Sequence, residues 1–243
     1  MKTPQRIARD LSQPFGMNSL EWRVQQVGGT PEKIWIRVLA YITARDIQQR
    51  LDEVVGAFSW KNEFTTLPNS IGDGAMCGAS IKHDGEWITK WNGAENTQIE
   101  PIKGGLSSAE KRAWVEWGIG RYLYEVDNLY AEVISQEIYN NKSTNKKEYT
   151  RATYKDKKKN KDIFVYWKPP TLSEKFRPQP FASKDIKKNI EKLAGETKTT
   201  LDELLLLYFG VNNVHDLYKN EASIVVDLLI KVKTKQEDKK DEK

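Results

Sequence analysis

Residues 100–126 form a segment that suits a helix only if other structure packs against it. At about 100° per residue, Ile102, Leu106, Ala109, Ala113, Trp117, Gly120 and Tyr124 fall on one narrow stripe, the mark of a buried face. Val115, Ile119 and Tyr122 make a second apolar strip on another side. Such a helix is either sandwiched within its own domain or packed on a neighbouring subunit. Ser107-x-x-Glu110 is a capping box and Gly104-Gly105 precedes it, so regular helix begins near Glu100 or only at Ser107. In the second case Lys103 lies on a lead-in. Lys103, Ser107, Lys111, Trp114, Gly118 and Arg121 share an adjacent arc that mixes cations with small residues. This arc is either open to a phosphate backbone or a solvated face whose charges pair with Glu110 and Glu116.

The flanking segments supply what the helix packs on. Leu20–Val27 and Ile34–Tyr41 are rich in aromatic and β-branched residues and flank GGTPE, which predicts a hairpin. Thr43 caps a helix through Ile47, Leu51, Val54 and Val55 to Gly56. Strands are expected at Trp60–Thr65, Ala75–Lys82 and Glu86–Asn92, the last two joined by the tight-turn pair Asp84-Gly85. The class is therefore α+β, an antiparallel β-sheet packed by a long helix in the order β-β-α-β-β-β-α. A basic hairpin (149–167) follows, with strands Tyr149–Tyr154 and Ile163–Trp167 on either side of KDKKKNKD. The Pro-rich stretch 168–181 closes a first domain, residues 1–181. Helices from Ser183 to Gly195, at Leu201–Phe209 and at Ala222–Lys233 make a small module, 182–235, expected to bind a protein partner and to be dispensable for DNA binding. Residues 236–243 are all polar and are expected to be disordered.

Charge is concentrated in one place. Of 243 residues, 39 are basic and 34 acidic, but residues 131–184 hold 13 basic against 6 acidic. The rest of the chain is near balance. This points to a local anionic partner or to a solubilising Lys-rich linker. No apolar run is long enough for a membrane span, and the N-terminus lacks the apolar core of a signal peptide. One cysteine, Cys77, leaves no internal disulfide and fits a reducing cytosol. With His83 and His215 as the only histidines, no Cys/His zinc site is expected, and no metal or other cofactor. Asp84, Glu86 and Lys90 are the nearest set to a metal-dependent nuclease, but the turn and the spacing argue against it. Gly104-Gly105 is followed by LSS rather than GK[ST], so a nucleotide-binding loop is absent. Two histidines in turn-like settings supply no nucleophilic triad. An enzyme is not expected.

The run WITKWNGAENTQIEPIKGGLSSAEKRAWVEWGIGRYLYEV, residues 87–126, resembles the annealing domain of the Rad52 superfamily, above all its phage branch. PFGMNSLEWRVQQ, YITARDIQQRLDEVVG and MCGASIKHDGEW agree in the same order, so the similarity covers roughly residues 10–130. The resemblance implies a non-enzymatic protein that binds single-stranded DNA, assembles into a ring or helical homo-oligomer, and anneals complementary strands in the cytoplasm of a bacterial host. It implies a basic groove holding the DNA backbone, lined by Lys111 and Arg112. Lys103 stands where the family carries another helix cation, Arg45 falls near a groove arginine, and Arg121 belongs to GIGRYLY. Lys157, Lys158 and Lys159 are a second candidate DNA contact or a solvated loop. Host single-strand binding protein or a phage exonuclease are candidate partners for the C-terminal module. The alternatives are a protective single-strand binder and a recombination scaffold without annealing activity. Most tryptophans are expected in the core, with Trp114 and Phe58 as surface candidates.

Overall fold

The computed structural model describes residues 2–67, 73–96 and 101–241. Strands β1 (Glu21–Thr30) and β2 (Lys33–Tyr41) form the expected hairpin, with a bulge between Val24 and Gln26. Helix α2 (Ala44–Val54) starts at a full capping box, in which Thr43 and Asp46 satisfy each other's backbone amides. Strands β3 (Trp60–Thr66), β4 (Gly74–His83) and β5 (Glu86–Glu95) make an antiparallel sheet with β4 in the centre. The β4–β5 turn places both Asp84 (φ 47°) and Gly85 (φ 87°) in the left-handed region, as a two-residue turn matching strand twist requires.

Helix α3 (Pro101–Val115) crosses this sheet. The inward residues of β4, Ala75, Cys77, Ala79 and Ile81, are buried with Ala109 and Ala113 in one core. Small side chains on both partners allow a close approach. Of the two starts open to this helix the structure shows the earlier, and its end differs from the expected one. It starts before Ser107, so Lys103 is helical, and a Cβ at Gly105 would lie 2.6 Å from Asn96 Oδ1, the movable end of that side chain. It also stops at Val115 instead of continuing to 126. Gly118 (φ 96°) and Gly120 (φ 70°) turn the chain, and Arg121–Glu125 is a short 3-10 segment. The two ends of the expected stripe are therefore exposed, Ile102 at 77% and Tyr124 at 71%. Two of the three residues of the second strip pack on the core: Ile119 is buried there, and the Tyr122 hydroxyl accepts the Phe15 amide at 3.0 Å, while Val115 is half-buried.

The basic hairpin gains a strand. β6 (Glu132–Ser135), β7 (Thr150–Asp156) and β8 (Lys161–Lys168) form a sheet of order β6-β8-β7, and the short helix α4 (Gln136–Asn140) follows β6. Val38 N donates to Leu129 O and Ala131 N to Ile36 O, both at 2.9 Å, so this sheet is tied to the free edge of β2. Ile36, Val38, Val165 and Trp167 share the core between them. Helices α5 (Lys184–Thr197), α6 (Leu201–Phe209) and α7 (Lys219–Asp241) enclose a core of their own around Ile190, Leu205, Leu217, Val225 and Leu229. Helix α7 continues through Asp241, so residues 236–241 are helical, not disordered; 242–243 lie outside the described residues. Gln236 Nε2 donates to Thr197 O at 3.0 Å and holds this extension against the end of α5.

An N-terminal helix, α1 (Pro4–Ser12), was not anticipated, although Thr3 as cap and Pro4 at the first position are a start signal. It joins the two cores. Arg6, only 2% exposed, places Nη1 3.1 Å from Glu221 Oε2, donates Nη2 to Asp216 O at 2.6 Å and covers the Tyr218 ring. Its Nε lies 2.8 Å from Asp10 Oδ1, an ion contact whose N–H is not aligned for a hydrogen bond. Tyr218 donates its hydroxyl to Asp10 at 3.0 Å, and Arg9 pairs with Glu221. At the other end of α1, Arg50 of α2 donates to the carbonyls of Asp10 and Gln13 and stacks on Phe15. The C-terminal helices are thus anchored to the first domain through buried charge. Removing one partner of such a pair leaves the others desolvated, so Arg6→Ala is expected to lower stability by about 3–5 kcal/mol in urea unfolding. A loss below about 1 kcal/mol, the scale of an exposed pair, would show that the network holds nothing together.

Candidate nucleic-acid interface

Helix α3 is held in rotation as well as in depth. The Glu110 carboxylate, buried between α2 and the sheet, accepts Gln48 Nε2 at 2.8 Å and Asn62 Nδ2 at 2.9 Å. Asn62 Oδ1 in turn accepts the Trp114 indole N–H at 2.9 Å. Trp114 is 0% exposed, so it is a core residue and not a surface candidate; Phe58, at 96% exposed, is a surface residue. Ser107 faces the start of α2, and Lys111 lies beside Tyr41 at the base of the β1–β2 hairpin. Lys103 and Lys111 lie eight residues apart, about 12 Å along the helix, with Ser107 between them.

Ser107 is the α3 residue in the lining of an open groove of about 480 Å³, formed with Asn18, Ser19, Glu21, Thr43, Ala44, Arg45 and Asp46. Arg45 is exposed and makes no ion pair among the described residues. The Lys111 ammonium sits 5.7 Å from the Tyr41 ring centre. The two acids of the groove have internal tasks. Asp46 Oδ2 accepts the Thr43 amide at 2.9 Å and the Thr43 hydroxyl at 2.5 Å. Glu21 takes the Tyr41 hydroxyl, and this hydrogen bond, with burial, raises the Tyr41 pKa. Such a site is suited to a backbone of spaced anions; among the described residues no group of three His, Cys, Asp or Glu could hold a metal ion.

The other sequence candidates lie elsewhere. Arg112 points to the sheet, with Nη1 3.4 Å from Gly93 O. Arg121 donates to Val115 O and Glu116 O, and Lys90 also donates to Glu116 O, so two cations cap the C-terminal end of α3. Lys157, Lys158 and Lys159 are exposed on the β7–β8 turn, where Asp156 Oδ1 accepts the amides of Lys158 and Lys159. Tyr154 donates to Gly29 O at 2.9 Å, so this turn lies beside the tip of the β1–β2 hairpin, whereas the groove lies at its base. A ten-residue strand separates the two, roughly 30 Å. Asn18, Ser19, Glu21 and Thr43 of the groove were not expected at a site; the Thr43/Asp46 capping box was the available signal, since it marks the helix start that faces α3.

The same buried network carries a pH signature. Burial, with a smaller push from Glu110, raises the Cys77 thiol from 9.0 to about 12. The native state therefore holds the proton more tightly than the unfolded chain. This contribution is complete below the unfolded value and is lost as pH rises through the folded one. The urea midpoint should fall more steeply over this alkaline range in the wild type than in Cys77→Ala; equal slopes would contradict the burial of the thiol.

Residues 3–144 match the family described as Rad52/22 family double-strand break repair protein. Two similar curated proteins are both named single-stranded DNA-binding protein DdrA. The one from Deinococcus deserti is 32% identical over 124 residues, 49% of this chain and 57% of the relative. The one from Deinococcus radiodurans is 28% identical over 130 residues, 52% of this chain and 58% of the relative. The chain thus spans a little over half the length of these relatives. No solved structure matches. The groove lies inside the matched span, and the β7–β8 hairpin and α5–α7 lie beyond it. No helix of the described residues is long and apolar enough to cross a membrane.

Proposed function

Because the chain belongs to the Rad52/22 family of double-strand break repair proteins, we propose that it binds single-stranded DNA in the α2–α3 groove and anneals complementary strands without ATP. The observation that carries this reading is an open groove lined by Arg45 and Ser107 whose acids are already engaged, with Lys111 beside Tyr41, two residues before the lining residue Thr43. Two relatives named as single-stranded DNA-binding proteins match across the same span. Lysine and arginine neutralise phosphates without reading sequence, and a strand held by its backbone keeps its base edges free to pair. Arg112 and Arg121 act behind the groove, seating α3 on β5 and closing its C-terminal end.

Self-assembly belongs to the same reading, as a ring or filament of the kind the phage-branch resemblance implies. Strands β3 and β5 are sheet edges, and the face away from α3 exposes Trp87 and Trp91. Subunits joined there would align their grooves, so that weak contacts along one strand act together. A second groove, about 760 Å³ between α1 and α6, exposes Leu206, Leu207 and Tyr208 beside Arg9, and is the place for a recombination partner such as a single-strand binding protein or an exonuclease.

Two outcomes follow. Arg45→Ala with Lys111→Ala should flatten the slope of log affinity for oligo(dT) against log salt by about 1.4, about 0.7 for each lost phosphate contact. Arg112→Ala should leave that slope unchanged; the reverse pattern would move the site to the β5 side. In a quenched-dye assay the wild type should pair complementary strands faster than bare DNA with no nucleotide added. Tight binding without any acceleration would make it a protective binder instead.

A further inference from the structure

The sheet formed by β6, β8 and β7 turns one face to the β1–β2 hairpin and the other to solvent. On the inner face Ala152, Ile163, Val165 and Trp167 meet Ile36 and Val38. The pairing register places Arg151, Thr153 and Lys155 of β7 beside Tyr166, Phe164 and Asp162 of β8 on the outer face. Phe164 is 44% exposed, and the Arg151 guanidinium lies 5.0 Å over its ring. Two residues along, Tyr166 stacks flat on Tyr139 of α4, with ring centres 3.6 Å apart and planes 6° from parallel. Lys146 lies 5.5 Å from the Tyr139 ring centre. The acids of this face are matched: Glu132 pairs with Lys168 at 3.0 Å, and Asp162 stands opposite Lys155.

We propose that this outer face is a second contact for single-stranded DNA, with Phe164 as a base-stacking platform and Arg151 and Lys146 as its flanking phosphate contacts. The proposal rests on the single-strand binding argued above and adds a site outside the groove. Three features favour nucleic acid over a protein surface. The segment 131–184, which contains the whole sheet, carries 13 basic against 6 acidic residues. Cations crowd both ends of the face, Lys157, Lys158 and Lys159 at the β7–β8 turn and Lys142, Lys146 and Lys147 at the other. Between them the exposed Phe164 ring is paired with Arg151, and a base can take the ring face while the cation moves to the adjoining phosphate. The stacked Tyr166–Tyr139 pair lies two strand residues from Phe164, about 6.6 Å, and extends the aromatic surface beside it.

The test uses the full chain, oligo(dT) and oligo(dT) carrying 5-iodouracil. Photocrosslinks should map to Phe164 or Tyr166 as well as to the groove. Phe164→Leu should weaken oligo(dT) binding by about 5- to 150-fold, the factor for one lost base–aromatic stack. Phe164→Tyr, which keeps the ring, should bind as the wild type. If Phe164→Leu binds normally while Arg45→Ala with Lys111→Ala does not, this face is overturned and the groove stands. If the wild type does not bind oligo(dT) at all, the single-strand reading itself fails. Normal binding by Phe164→Leu with a shift to smaller species in sedimentation would overturn the proposal and make the face a subunit contact.

Discussion

Helix α3 meets β4 with small residues on both sides, Ala109 and Ala113 against a strand that turns Ala75, Cys77 and Ala79 inward, while Trp114 fills the space beside them. Dense packing of this kind tolerates little change in side-chain volume. It fixes how deep the helix lies, and the hydrogen bonds from Gln48 and Asn62 to Glu110 fix its rotation. The groove is a consequence. With α3 held in this rotation, Ser107 faces the beginning of α2 and Lys111 lies beside Tyr41, where Arg45 stands beside a capped helix end. A buried polar cluster of this sort is weak evidence for extra stability, but it is a good device for specifying one orientation among several.

The second constraint is α1, a nine-residue helix that serves both cores. Arg50 satisfies its C-terminal carbonyls from the first domain, and Glu221 and Tyr218 meet Arg6 and Asp10 from the last helices. Glu221 also accepts the Tyr218 amide at the start of α7, so one carboxylate caps a helix and closes the interdomain contact. The C-terminal helices have a core of their own, yet cutting them away would leave buried charge on α1 without partners.

Much of the fold was legible because local chemistry and tertiary structure agree. Asp84-Gly85 predicts a two-residue hairpin, Thr43/Asp46 a helix start, and alternating Trp and Val residues the first strands. The end of α3 was misread because Trp117, Gly120 and Tyr124 keep the helical period after the helix has stopped; glycines at 118 and 120, and Arg121 folding back on the last carbonyls, decide the matter. Trp114 looked exposed because it shares an arc with cations, and only the sheet beneath shows that the arc's edge is buried. Strand β6 escaped notice because four residues carry too little pattern. The groove combines the base of a hairpin, a helix start and the face of another helix, a juxtaposition that spacing along the chain does not encode. The resemblance to annealing proteins singled out Lys103, Lys111, Arg112 and Arg45; of these, Arg45 lines the groove, Lys111 lies beside Tyr41, and Arg112 points to the sheet.

The most direct test of the account is a cryo-electron-microscopy map of the protein bound to oligo(dT). The account predicts a continuous strand in the groove, with phosphates within hydrogen-bonding reach, about 3 Å, of Arg45 and Lys111 and with base edges turned outward. A strand that bypasses the α2–α3 groove, leaving Arg45 and Lys111 in solvent, would contradict it.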